Sequence, residues 1–314
     1  MSHRCRSGAL AALALFAVTV HAQTGDLLVS SRFSNNVLRY DRVTGAFKGI
    51  FASGNGLANP NGIAYGPDGH LYVGLGDTGR IMKFHGQTGA YLSDFVNTAE
   101  AGFSGSRAIA FGPDGHLYVA GANISSVLRF DGSTGAFKDV FASGNGMNGT
   151  VGLTFGPSGD LFVGAALSNA VYRFNSAGQF QRTYGGGSLT NATGVLIDSQ
   201  NRLLVAYSVS NRIQRYNLTT GGNLGSLGVT SSLSIPIGMT FDPDGNLLVG
   251  SFGTDSVLKY NPTTGAFLGT LVLSGSGGLD GTHNFAFMQI PGPASTGAFV
   301  VLAPWLARRR RPIP

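Results

Sequence analysis

The stretch FGPDGHLYVAG, residues 111–121, decides how this chain is read, because it returns along the sequence. YGPDGHLYVGL starts at Tyr65, FGPSGDLFVGA at Phe155 and FDPDGNLLVGS at Phe241. A weaker copy, IDSQNRLLVAY, starts at Ile197, and a headless one, GDLLVSS, starts at Gly25. A Pro-Asp-Gly turn between two apolar runs is a hairpin signal, with glycine supplying the left-handed conformation that a tight turn needs. Asp68, Asp114 and Asp244 stand where an aspartate accepts from its own backbone. A calcium loop would need several oxygen-bearing side chains at alternating positions, whereas each of these turns offers one carboxylate.

The copies are 44, 46, 44, 42 and 44 residues apart, counted from Asp26 through His70, His116, Asp160 and Arg202 to Asn246. A strand-rich period in the mid-forties points to propeller blades. The third repeat shows four short strands in AIAFGP, HLYVAG, SVLRFD and FKDVFA, joined by turns at PDG, NISS and GSTG. DRVTGAF, DGSTGAF and NPTTGAF read as turns between third and fourth strands, since a phosphate loop needs Gly-Lys-Ser/Thr opening a helix. The second strand of each unit is apolar at nearly every position, so both of its faces need cover. One four-stranded sheet cannot cover itself, and six stacked in a ring can.

The ends of the chain predict how the ring closes. The N-terminal copy begins with a second strand, DLLVSS, and lacks a first; HNFAFM, from His283, is a first strand without followers. The expectation is an all-β, six-bladed β-propeller with four antiparallel strands per blade, closed by pairing the C-terminal strand with the N-terminal blade.

Composition agrees with a turn-rich globular domain: of 314 residues, 49 are glycine, 43% are hydrophobic and 11% are charged. The formal charge of +6 comes from the termini, because Arg4, Arg6 and Arg308 to Arg311 account for it. Without them basic and acidic residues balance, which removes the electrostatic footprint of a nucleic-acid binder. MSHRCR, the apolar run GALAALALFAVTV and the small-x-small end at Ala22 read as a cleaved secretion signal. The single cysteine, Cys5, lies in that leader, so the mature domain has neither disulfide nor thiol chemistry. The expected organisation is a signal peptide over 1–22, the propeller over 23–290 and a tail over 291–314.

Two resemblances follow from particular residues. NGIAYGPDGHLYVGLGDTGRIMKF and IGMTFDPDGNLLVGSFGTDSVLKY resemble NHL-repeat propellers and their gluconolactonase and streptogramin-lyase-like relatives. That likeness covers about residues 25 to 288 and implies the fold; its members include enzymes, binding scaffolds and surface proteins. IPGPASTGAFVVLAPWLARRRR, residues 290–311, resembles a PEP-CTERM sorting signal, although Gly292 stands where that family usually has glutamate and Pro304 interrupts a short apolar run. This second likeness implies export across the inner membrane of a Gram-negative bacterium and a transient membrane stop through the tail. Processing by an exosortase-like enzyme would follow, with delivery to the cell surface or extracellular matrix.

First strands line the axis of a propeller, and their starting ends share a face with the long loops between blades. Alignment of the repeats places Asn61, Arg107, Val151, Thr193, Ile237 and His283 around that ring, with Asn284 beside the last and Glu100 in an adjoining loop. The candidate ligand-binding residues are therefore Asn61, Arg107, Thr193, His283, Asn284 and Glu100. A lactonase-type site would need several carboxylates around a divalent cation, and the ring contains none. A lyase-type site would need paired histidines, and only His283 belongs to the ring; His70, His85 and His116 read as surface residues elsewhere. No catalytic residue, metal ligand or cofactor is expected. The sequence favours a binding or structural module for a saccharide or another surface protein. The alternative is a metal-dependent lactonase or lyase using His283, Arg107, Asn61 and Glu100.

Overall fold

Apolar second strands that need cover on both faces receive it from neighbouring blades. The computed structural model describes residues 24–96, 103, 105–121, 123–228 and 230–289, and residues 24–289 form one compact unit. In the first blade, β1 (Thr24–Ser31), β2 (Asn36–Tyr40) and β3 (Phe47–Ala52) come from the start of the chain. The second blade holds β4 (Pro60–Tyr65), β5 (Leu71–Leu75), β6 (Ile81–Phe84) and β7 (Tyr91–Val96). The third holds β8 (Ser106–Phe111), β9 (Leu117–Gly121), β10 (Ser126–Phe130) and β11 (Phe137–Ser143). The fourth holds β12 (Thr150–Phe155), β13 (Leu161–Ala165), β14 (Ala170–Phe174) and β15 (Phe180–Gly185). The fifth holds β16 (Ala192–Ile197), β17 (Arg202–Tyr207), β18 (Arg212–Asn217) and β19 (Asn223–Ser226). The sixth holds β20 (Pro236–Phe241), β21 (Leu247–Ser251), β22 (Ser256–Tyr260) and β23 (Phe267–Val272). The orphan strand β24 (Thr282–Gln289) joins the first blade, whose order is β24-β1-β2-β3, with Leu27 opposite Phe287 and Val29 opposite Phe285.

Each seam between blades carries its own apolar cluster, and strand alternation feeds both sides. Leu27 and Val29 pack with Leu248, Val257 and Val272 of the sixth blade, while Leu28 packs with Leu71 and Val73 of the second. All six of these β1, β5 and β21 residues are fully buried, and at about 1.5–3 kcal/mol per large side chain this burial dominates the stability. The first blade thus touches both the second and the sixth, and the ring is closed.

A polar device reinforces most seams. The turn between second and third strands ends on a left-handed residue: Asn35, Gly79, Ser125, Asn169, Asn211 or Asp255. Five of these side chains accept a hydrogen bond from the backbone N–H just before the next blade's inner strand. Asn35 Oδ1 holds Asn59 N at 2.9 Å, Ser125 Oγ holds Gly149 N at 3.1 Å, and Asn169 Oδ1 holds Asn191 N at 2.7 Å. Asn211 Oδ1 holds Ile235 N at 2.7 Å, and Asp255 Oδ1 holds Gly281 N at 2.6 Å. At the seam between the second and third blades Gly79 occupies the position and has no side chain to offer.

The hairpin turns behave as the repeat predicts in two blades and differently in the sixth. Asp68 Oδ1 accepts from His70 N and Asp114 Oδ1 from His116 N, each at 3.1 Å. Asp244 does not play this part; its own N–H donates to Asp242 Oδ1 at 3.0 Å, as does that of Asn246 at 2.8 Å. In FDPDG the capping carboxylate has moved to the position that FGPDG fills with glycine, and Lys259 Nζ pairs it at 2.7 Å. Among the described residues the only helical pieces are short 3-10 turns at Phe252–Thr254 and Ser276–Gly278.

Candidate site at the channel mouth

The inner strands β4, β8, β12, β16, β20 and β24 contact one another around the axis, and glycine sets how closely. A Cβ on Gly194 would lie 2.0 Å from the Ile237 carbonyl oxygen, and one on Gly238 would lie 2.1 Å from that of His283. Only residues without a side chain allow those approaches. The channel keeps a cavity of about 160 Å³, lined by Gly62, Gly152, Gly194, Leu153, Met239 and Asn284 among others.

At the end of the channel where the inner strands begin, the predicted residues divide into two groups. Thr193 is structural: its hydroxyl donates to the carbonyls of Ala206 at 3.1 Å and Pro236 at 2.9 Å, tying the fifth blade to the sixth. Val151 and Ile237 are half-buried and apolar, so this half of the ring offers no chemistry. The other half comes from the first three blades. Asn61 is fully buried, its Nδ2 donates to the Ser106 carbonyl at 3.3 Å, and its Oδ1 has no hydrogen-bond partner.

His283 is 4% exposed, and its Nδ1 lies 3.0 Å from Asn284 Nδ2. With the amide donating, the ring proton sits on Nε2. Burial, reinforced by the positive charges of Arg32 and Arg107, lowers its pKa to about 3. The ring is neutral at ordinary pH. Arg107 is half-buried, its pKa is lowered by desolvation and by Arg32, and its Nε is buried without a partner. Glu100 lies outside the described residues.

Arg32 is the residue that repeat alignment of the inner strands missed. It sits in the turn after β1, and its Nε is likewise buried without a partner. Among the described residues the carboxylate it pairs with is Asp77, at 4.0 Å, and Asn59 Nδ2 already donates to Asp77. The signal was present in the turns: the positions equivalent to Arg32 carry Gly76, Ala122, Ala166, Ser208 and Phe252, so it is the one arginine of the set.

Buried polar atoms normally find partners. Among the described residues eight buried side-chain atoms lack one, and three of them belong to this half of the mouth: Arg32 Nε, Asn61 Oδ1 and Arg107 Nε. Two more, on Ser106 and Thr282, belong to side chains that face Gly74 and Gly250 of the preceding blades. The arrangement can hold a polar or anionic group. It is poorly equipped to move a proton, because a base with a pKa near 3 is a weak acceptor at neutral pH. Among the described residues no three His, Cys, Asp or Glu side chains group together as a metal would require. His70, His85 and His116 act in the turns of the opposite face, where each Nδ1 accepts a backbone N–H at 3.3–3.4 Å.

Fold and ring together define the class: a closed six-bladed β-propeller with a polar half-ring at one mouth of its channel. No protein-family model matches the chain, and no curated protein matches it in sequence. Solved structures do match. A chain of the nidogen/laminin complex aligns with a TM-score of 0.68 at 15% identity, covering 84% of this chain and 98% of that one. A protein of unknown function from Bacteroides caccae aligns with a TM-score of 0.67 at 12% identity, covering 85% and 100%. Virginiamycin B lyase from Staphylococcus aureus aligns with a TM-score of 0.53 at 17% identity, covering 74% and 71%. At such identities the likeness shows the propeller fold alone. The expected secretion signal and sorting tail, residues 1–22 and 291–314, lie outside the described residues.

Proposed function

We propose that this protein is an exported propeller that works at the cell surface or in the extracellular matrix as a non-catalytic binding module. Its binding surface is the channel-mouth face, and a saccharide is its ligand. The observation that carries the reading is the state of His283. The one proton-transfer side chain of the ring is buried, and that burial, with the positive charges of Arg32 and Arg107, pushes its pKa down to about 3. That environment suits recognition, where fixed donors and charges select a ligand, and opposes general base catalysis. Loops rich in Ser, Asn and Gly around the mouth, such as SGNG at 53–56 and 143–146, supply hydrogen-bonding groups with little charge. The leader and the arginine-ended tail support export and sorting, with an exosortase-like enzyme as the processing partner.

The test combines a saccharide array with turnover assays on the mature chain, each with and without added magnesium or calcium. The reading predicts saccharide binding and no turnover of lactones or cyclic depsipeptides. Turnover that His283→Gln abolishes would establish the enzyme instead. In an exosortase-bearing host, mass spectrometry of surface-extracted protein should find the chain ending near Pro293. An intact Arg308 to Arg311 terminus would make the tail a permanent anchor.

A further inference from the structure

We propose that Arg32 and Arg107 form an anion site at the channel mouth that takes the carboxylate of an acidic saccharide. This rests on the reading of that face as a saccharide-binding surface and names the charge its ligand carries.

Among the described residues, Arg32 and Arg107 combine a buried Nε that has no partner with the lack of a close carboxylate. Arg42, Lys138, Arg182, Arg212 and Arg215 also lack a close carboxylate. Of these only Arg215 has such an Nε, but its Nη1 and Nη2 donate to the carbonyls of Thr263 and Ser226. Arg39, Lys48, Arg80, Lys83, Arg129, Arg173, Arg202 and Lys259 each lie 2.5–2.8 Å from a carboxylate oxygen. Arg32 is 4.0 Å from Asp77, and no carboxylate among the described residues comes within 4.0 Å of Arg107. Both are outliers in the repeat, since the positions equivalent to Arg107 hold Asn61, Val151, Thr193, Ile237 and His283. The sequence thus places two guanidinium groups, each with a buried Nε that has no partner, at one mouth of the channel, at positions that other side chains fill in the other blades. Bringing like charges together while removing water opposes folding, and an anion between them offsets that cost. A guanidinium fork matches a carboxylate in shape and donates two parallel hydrogen bonds to it.

What surrounds the pair favours a sugar as the carrier of that carboxylate. Phe33, next to Arg32, is 53% exposed and stands edge-on to Phe252 with ring centroids 5.6 Å apart. The Arg32 guanidinium lies 5.5 Å from the Phe33 ring centre, so an aromatic platform adjoins the charge. A pyranose presents a C–H face to such a platform and hydroxyls to the Ser and Asn side chains around it. An extended peptide would need a free sheet edge, and the blade edges formed by β3, β7, β11, β15, β19 and β23 are the strands farthest from the axis. Asp77 is the described carboxylate that would oppose the ligand, with Asp255 in the turn between β21 and β22 and Asp280 in the loop before β24; Asp255 Oδ1 already holds Gly281 N.

Calorimetry on the mature chain tests the site with three probes: α-1,4-linked trigalacturonate, the same trisaccharide with its carboxyls reduced, and hexaglutamate. Trigalacturonate should bind, and carboxyl reduction or Arg107→Gln should each weaken binding by about tenfold or more, the worth of a lost charge-assisted hydrogen bond. Asp77→Asn should tighten it. Arg107→Lys, which keeps the charge without the fork, should fall between. Without ligand, Arg107→Gln should melt at or above the wild-type temperature, because it relieves burial and repulsion. Equal binding of the charged and reduced trisaccharides would overturn the anion site while leaving a saccharide surface. Binding of hexaglutamate alone would overturn the saccharide assignment. Binding of none of the three, or a fall of several degrees in the melting of ligand-free Arg107→Gln, would overturn the proposal itself.

Discussion

At the seam between the sixth blade and the first, the ring depends on Asp255 as well as on apolar packing. Asp255 holds a left-handed backbone, φ 47°, and its Oδ1 accepts from Gly281 N at 2.6 Å, one residue before β24. Asp255→Gly keeps that conformation accessible and removes the acceptor. Gly281 is buried, so its N–H has poor access to replacement water. A hydrogen bond to a charged acceptor contributes about 1.5–3 kcal/mol, and a stranded buried donor costs about 1–3 kcal/mol. Relief of left-handed strain and added freedom in the unfolded chain are each near 1 kcal/mol and of opposite sign. The expected loss is therefore about 2 kcal/mol, or about 4–8 °C in melting temperature for a domain of this size. Asp255→Asn keeps an acceptor oxygen and should lose about half as much or less. Thermal melts followed by far-ultraviolet circular dichroism at pH 7 make the comparison. An Asp255→Gly protein that melts within about 1 °C of wild type would refute the clasp, as would equal losses in both variants.

Three further outcomes follow from the same geometry. Gly194→Ala places a methyl group 2.0 Å from the Ile237 carbonyl oxygen and should cost about 3 kcal/mol or prevent folding; near wild-type melting would show that the inner strands can part. Removing residues 282–289 strips β24 from β1 and should yield aggregates by size-exclusion chromatography, so a monomer with unchanged cooperative melting would contradict closure. His283 gives a pH signature, because its pKa is about 3 when folded against 6.5 when unfolded. Below pH 6.5 the unfolded chain takes up a proton that the native state refuses, so stability falls as pH falls. The slope is about 1.4 kcal/mol per pH unit, giving a loss of about 2 kcal/mol between pH 6.5 and 5 that His283→Gln should not share. Parallel pH profiles for the two proteins would contradict the buried, neutral ring.

The propeller was legible because its determinants are periodic. Turn residues recur at a fixed period, and the strand missing before Asp26 reappears at His283, so ring closure could be read without coordinates. The site was legible only in part, since ring position does not reveal where a side chain's bonds go. Thr193 occupies the ring as predicted, yet two backbone carbonyls take up its hydroxyl. Arg32 belongs to a turn and escaped an alignment confined to inner strands. Asp244 kept the PDG spelling while Asp242 took over the capping, because a carboxylate one position before the proline reaches the Asn246 N–H, the equivalent of those of His70 and His116, and the N–H of Asp244 as well. The seam clasps are harder still to read: Asn35, Ser125 and Asp255 differ in type and share only a left-handed backbone and a short polar arm.

The central claim, that the channel mouth recognises a ligand and does not transfer protons, turns on one imidazole. Nitrogen NMR of the ¹⁵N-histidine-labelled mature chain, with His283 assigned by comparison with His283→Gln, measures its protonation directly. The account predicts that the His283 ring stays neutral, with its proton on Nε2, as pH is lowered from 8 to about 4, consistent with a pKa of about 3. A ring that titrates with a midpoint between about 6 and 7, near the ordinary histidine value, would be poised for general base catalysis and would contradict it.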